Sequence, residues 1–180
     1  MARLEQIRLL AEYNRLMNTR QYEACARLTP QELAAERGAF FGSVLGTLNH
    51  ILVGDIVWLR RFSNHDASCT ALEEMATMPV PQKLDAILYP SLDALTPVRA
   101  RLDAMLIDWC AVLREADLES ALAYENFRGV SSVRLLGDLL LHQFLHQVHH
   151  RGQITTLLSQ FGVDFGETDL VEIIPVVVSA

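Results

Sequence analysis

Apolar residues return at intervals of three and four from Leu4 to about Leu28, through Ile7, Leu10, Ala11 and Met17, the rhythm that lays one side of an α-helix against a core. Thr29-Pro30 supplies a stop and a new start, and a short helix is expected over residues 31–36. A second long helix is predicted from about Phe40 to Phe62, ended by Ser63-Asn64-His65-Asp66. Pro79, Pro81 and Pro90 break the next stretch, so residues 67–90 read as a crossover connection with a helical turn or two. A third helix from about Ser91 to Glu115 carries Leu92, Leu95, Val98, Leu102 and Leu106, and Pro97 should kink it or mark its true start. Residues 121–133 alternate around Asn126-Phe127-Arg128-Gly129, the pattern of a small hairpin. The last helix should run from about Val133 to Phe161, stopped by Gly162, and the tail to Ala180 is apolar enough to pack back on the rest. Four long helices with one long connection predict an all-α four-helix bundle, and 180 residues fit one domain over 1–180.

Charge narrows the function classes. A net charge of -7 with no Lys/Arg run excludes the basic stripe that nucleic-acid binding needs. The N-terminus lacks the apolar segment of a secretory signal, and acidic residues or histidines interrupt every long apolar stretch, so a cytoplasmic protein without membrane spans is expected. Cys25, Cys69 and Cys110 form no Cys-x-x-Cys pair and read as reduced, buried thiols.

The candidate chemistry lies in the histidines. His142, His146, His149 and His150 share one side of the last helix with Gln153, and Leu135, Leu139 and Leu157 lie in the same arc. A stripe that is leucine, then histidine, then leucine points into a core, where an imidazole needs a partner. His146 and His150 stand one turn apart and can converge on one ion, as in the zinc-binding His-x-x-x-His helix, or form a pair without metal. Gln147 occupies the place of the zinc proteases' glutamate base, which removes that mechanism. His50 is the candidate third ligand, being the one histidine placed centrally on another long helix; His65, at a helix end, should be exposed or act as a cap. On its helix His50 lies opposite the stripe Leu45, Leu48, Leu52, Ile56 and Leu59, beside Ser43, Gly46, Thr47, Gly54 and Val57. Those small neighbours suit either a cavity or close packing on glycines.

These residues resemble the DinB/YfiT-like family. The likeness rests on 11–18 (Ala-Glu-Tyr-Asn-Arg-Leu-Met-Asn), on 47–55 (Thr-Leu-Asn-His-Ile-Leu-Val-Gly-Asp) with Trp58-Leu59-Arg60, on Tyr124-Glu125-Asn126 with Gly129, and above all on His142 to Ile154 with its His-x-x-His-His-Arg-Gly-Gln run. The resemblance implies an up-down-down-up bundle, often homodimeric, and a site for zinc, nickel or a similar divalent ion on His50, His146 and His150. It also implies a metal-dependent thiol S-transferase or thiol-dependent isomerase acting on a small-molecule thiol and an electrophile. The alternatives are a metal-dependent hydrolase, for which Glu125 or Asp138 would have to serve as base, and a non-enzymatic metal-binding stress protein. His142, His149 and Arg151 match recurring positions outside the triad. Asn14 and Asn18 are expected in a structural hydrogen-bond role, and Asp55 in a buried ion pair.

Overall fold

The computed structural model describes residues 2–68 and 70–177. Its elements are α1 (Arg3–Cys25), α2 (Pro30–Ala34), α3 (Val44–Phe62), α4 (Leu92–Val112), α5 (Glu115–Leu118), β1 (Ala121–Glu125), β2 (Ser131–Leu135) and α6 (Leu136–Gln160), with single 3-10 segments at Thr70–Ala76 and Leu170–Ile173.

Caps decide where the helices begin. Thr29 and Glu32 form a capping box, and Pro30 takes the first helical position, where its missing N–H costs nothing. Ser43 Oγ accepts from the Gly46 amide at 3.0 Å, so α3 starts after Ser43 and not at Phe40. Phe40 and Phe41 lie instead in a turn bridged from Ala39 to Gly42, whose φ of 76° is the left-handed region that suits glycine. Ser91 caps α4, which runs on through Pro97, so Pro97 is not its start. The hairpin pairs Ala121 with Leu135 and Glu125 with Ser131. That pairing takes residues 133–135 away from the expected last helix and begins α6 at Leu136.

Helix directions follow from hydrogen bonds between neighbours. Arg8 reaches the Cys110 carbonyl while Asn18 reaches Asp103, so α1 and α4 are antiparallel. Arg3 pairs with Asp138 and Arg151 with Asn14, so α1 and α6 run the same way. His50 meets His150 and Asp55 meets Gln143, which makes α3 and α6 antiparallel. The result is an up-down-down-up bundle in which α1 and α3 each pack on α4 and α6. Its core joins Leu48, Leu52, Ile56 and Phe62 to Leu102, Leu106 and Trp109 and to Leu140, Phe144 and Leu158. Each such side chain contributes about 1.5–3 kcal/mol by leaving water. Among the described residues no helix is long and apolar enough to cross a membrane.

Two features depart from the expectations above. Helix α3 is buried on both sides along most of its length, because α2 and the 3-10 segment Thr70–Ala76 cover what the bundle does not. The tail packs back through Val163 and Phe165, and Thr168 accepts from the Tyr13 hydroxyl, yet Val171, Ile174, Val176 and Val177 remain exposed. Cys25 and Cys110 are free and buried, and burial pushes both thiols up to about 12, so neither supplies a thiolate at neutral pH. Cys69 and the end of the tail at 178–180 lie outside the described residues.

Candidate metal centre

Helix α3 presents His50 to His146 and His150 of α6. The Nε2 atom of His50 lies 3.2 Å from that of His146 and 3.1 Å from that of His150. One ligand atom from each of the three falls within 4.8 Å of the others. Tetrahedral zinc with bonds of about 2.0–2.1 Å to imidazole holds its nitrogens about 3.3 Å apart, so the spacing suits a single ion.

Protons sharpen the point. The Nδ1 atom of His50 sits 2.8 Å from the Leu84 carbonyl oxygen, which only accepts, so Nδ1 carries the hydrogen and Nε2 a bare lone pair. His150 Nδ1 likewise donates to Gln153 Oε1 at 2.7 Å, the amide's other end lying 3.5 Å from His149 Nε2. Two lone pairs therefore face each other at 3.1 Å with no hydrogen between them, an arrangement a shared cation relieves. Burial lowers the pKa of His50 and of His150. Burial, then repulsion from His150 and His50, takes His146 down to about 3. All three rings are neutral near pH 7, the state a metal needs.

Small residues and loops make the room. A Cβ on Gly54 would stand 2.9 Å from His146 Cε1, so only glycine lets that ring lie flat on α3. A Cβ on Gly46 would collide at 2.1 Å with the Phe41 carbonyl, and so Gly46 admits the loop whose Phe41 stacks on His50 with centroids 3.7 Å apart. The small side of α3 thus serves both readings left open by the sequence. Leu84 escaped notice because loop residues carry no periodic signal, and Phe41 because the helix expected from Phe40 absorbed it.

The other candidates separate cleanly. His142 and His149 are exposed; the first meets the edge of Trp58 and the second lies beside His150. His65 corrects the expectation of exposure, for it is buried, with Nδ1 accepting from the Ala67 amide and Nε2 donating to Ser120 Oγ at 3.1 Å. Asp138 pairs with Arg3 at 2.5 Å, away from the triad. Asn14, Asn18 and Arg151 belong to a buried network behind the histidines. Asn18 donates to Asp103 and to Gln147, Arg151 donates to Asn14, and Gln143 and Gln147 donate to Asp55 at 2.6 and 2.8 Å. Asp55 and Asp103 share Arg99 as cation. Burial pushes Asp55 up to about 6 against the pull of Arg99. Arg99 and Asp103 were missed, although their spacing of four places both within the apolar stripe of Leu95, Leu102 and Leu106.

Comparison with known proteins is consistent with this architecture. No curated protein matches the sequence. A family model does: it covers residues 1–174, taking in every helix of the bundle and all three converging histidines. With nearly the whole chain matched, this protein belongs to the DinB family.

Proposed function

We propose that His50, His146 and His150 ligate one divalent ion, zinc, nickel or a similar metal, and that the protein is a metal-dependent thiol S-transferase or thiol-dependent isomerase. The observation that carries the reading is the pair of bare Nε2 lone pairs at 3.1 Å, fixed by Leu84 and Gln153 on the far side of each ring. Three neutral ligands leave such an ion doubly positive with an open position, and its chemistry there is Lewis acidity toward a thiol or a water. The residues of the chain supply the rest. Phe41 closes the face of His50 to solvent, and the hydrogen bonds to Leu84 and Gln153 hold two of the imidazoles in the ligating tautomer. Sulfur chemistry is favoured over hydrolysis because one candidate base, Asp138, is spent on Arg3.

The same proposal takes residues 1–180 as one cytoplasmic domain acting as a homodimer. Support for the dimer comes from Leu141, Leu145 and Val148, which form an exposed apolar stripe of heptad spacing along α6. The test is cobalt loading followed by titration with bacillithiol, mycothiol, glutathione and coenzyme A. A sulfur-to-cobalt charge-transfer band with one of them, absent in His150→Ala, is the expected result. No band at full cobalt occupancy overturns the thiol reading.

A further inference from the structure

One side of α3 leads from His50 toward a cavity that Arg61 lines. His50, Gly54, Val57 and Arg61 recur at intervals of four and three and so share one side of the helix. At a rise of about 1.5 Å per residue, Val57 stands about 10 Å and Arg61 about 16 Å along the axis from His50. Val57, Arg60, Arg61 and Asn64 line a cavity of about 250 Å³ together with Val80, Pro81 and the hairpin residues Glu125 to Phe127. The segment that supplies Val80 and Pro81 also supplies the Leu84 carbonyl that holds His50. The two places therefore share a floor in α3 and a wall in this segment. A run of rings from α6, α3 and β1 also connects them: His146 to His142 at 6.1 Å, His142 to Trp58 at 5.3 Å and Trp58 to Tyr124 at 5.2 Å between centroids.

The far end is cationic, with more arginine than acid. Arg61 lies over Trp58 and Tyr124, 4.5 and 4.7 Å from their centroids, and spends one hydrogen bond on the Glu125 carbonyl. Arg60 donates to the Met78 carbonyl, and Arg134 donates to the Tyr124 hydroxyl. None of the three takes part in an ion pair among the described residues, although the chain as a whole carries -7. Glu125 is the one acid in the cavity lining. Arg61, stacked on aromatic rings, without an ion-pair partner among the described residues and lining a cavity, is placed to donate to a carboxylate.

We propose that Arg61, with Arg60 and Arg134 beside it, binds the carboxylate of an elongated small molecule whose other end reaches the three-histidine site. This rests on the reading above only for the nature of the near end. The acid belongs either to the thiol or to its electrophilic partner, and the test separates the two.

Cobalt-loaded protein is titrated with alkyl hydroxamates, which chelate a divalent ion whatever the natural ligand, ended either by a carboxylate or by its methyl ester. The acid of matching length should bind about tenfold tighter, the scale of a charge-assisted hydrogen bond. Arg61→Gln should erase that preference without weakening the ester, and Arg61→Lys should restore part of it. Equal binding of acid and ester by the unaltered protein overturns the proposal without recourse to any variant. So does a loss in Arg61→Gln that is equal for both, and so does a chain that takes up no cobalt. Mercaptooctanoate against mercaptooctanol then assigns the acid. A preference for the former puts it on the thiol; no preference, with the hydroxamate preference intact, puts it on the electrophile. If no thiol gives a charge-transfer band while the acid hydroxamate keeps its advantage, the thiol reading fails and the anion subsite stands.

Discussion

Replacing Gly54 by alanine should move two observables in opposite directions. A Cβ at this position stands 2.9 Å from His146 Cε1 and 3.4 Å from Nδ1, whereas carbon atoms settle at about 3.5–4.0 Å. The ring must therefore retreat by about 0.5–1 Å. In the metal-free protein this is cheap, since His146 is only part-buried and can swing outward. The substitution also gains about 1 kcal/mol of helix propensity, so the apo protein should be as stable as the parent or more so. With metal bound the same retreat opposes a bond whose length tolerates about 0.2 Å, and affinity should fall about 10–100-fold, or about 1.4–2.7 kcal/mol. Competition with a chelating indicator for cobalt reads the first quantity, and thermal melts in excess chelator read the second. Affinity within about twofold of the parent would show that His146 does not ligate from the position it holds against α3. An apo protein destabilised by more than about 1 kcal/mol would refute the claim that the ring can swing clear.

Three further outcomes are expected. Elemental analysis of His146→Ala should show metal content well below the parent's, and an unchanged content would place the ion elsewhere. In acid, His146 with its pKa near 3 refuses a proton that the unfolded chain accepts near ~6.5, so apo stability should fall as pH drops through that window and be flat above it. The lowered values of all three rings should also delay metal release to a pH below the ordinary histidine range, which a cobalt spectrum followed against pH would contradict if release were complete at ~6.5. Asp55→Ala leaves Arg99 buried with half its compensation and should cost about 3–5 kcal/mol by chemical denaturation, with Asp55→Asn costing less; a loss under about 1 kcal/mol from the alanine variant would remove the network from any structural role.

The sequence was most legible where polarity contradicted periodicity. Histidines interrupting the leucine stripe of α6 were expected to point into the core, and His146 and His150 do so, whereas His142 and His149 at the edges of the same arc are exposed. His50 was harder. Periodicity assumes a helix with one dry side, and α3 has two, the second made by loops whose contacts are set by a carbonyl at Leu84 and a ring at Phe41 rather than by any repeat. Its central place on a second long helix and the likeness to a family singled His50 out, not periodicity. Helix ends slipped by a few residues for a related reason: Phe40 and Phe41 look like a continuation of the apolar pattern, but Ser43 caps the helix after them. His65 was misjudged because its partner Ser120 comes from a segment far along the chain. Arg99 and Asp103 could have been found, since charges spaced at four within a leucine stripe carry the same contradiction as the histidines.

That contradiction also explains the amide at position 147. Helix α6 carries two polar columns a turn apart in rhythm, His142, His146 and His150 on one side and Gln143, Gln147 and Arg151 on the other. Gln147 points away from the triad. Its Nε2 donates to Asp55, and its Oε1 accepts from Asn18 and Arg151. A glutamate here would lose the amide's donation to Asp55 and set a second carboxylate against that buried one, a like-charge contact in a dry interior. The position that serves as general base in a zinc protease helix is thus a structural one in this bundle. It also bears on the candidate metal site, because Gln143 and Gln147 bond the same carboxylate, and Asp55 stands little more than one turn along α3 from His50. A slip of α6 by one turn, about 5.4 Å, would put one of these amides in the other's place, leave Asp55 with one charge-assisted bond from the pair, and move His146 and His150 relative to His50. The network thereby helps to hold the register in which the three Nε2 atoms lie close, so that an ion taken up there would not have to order them.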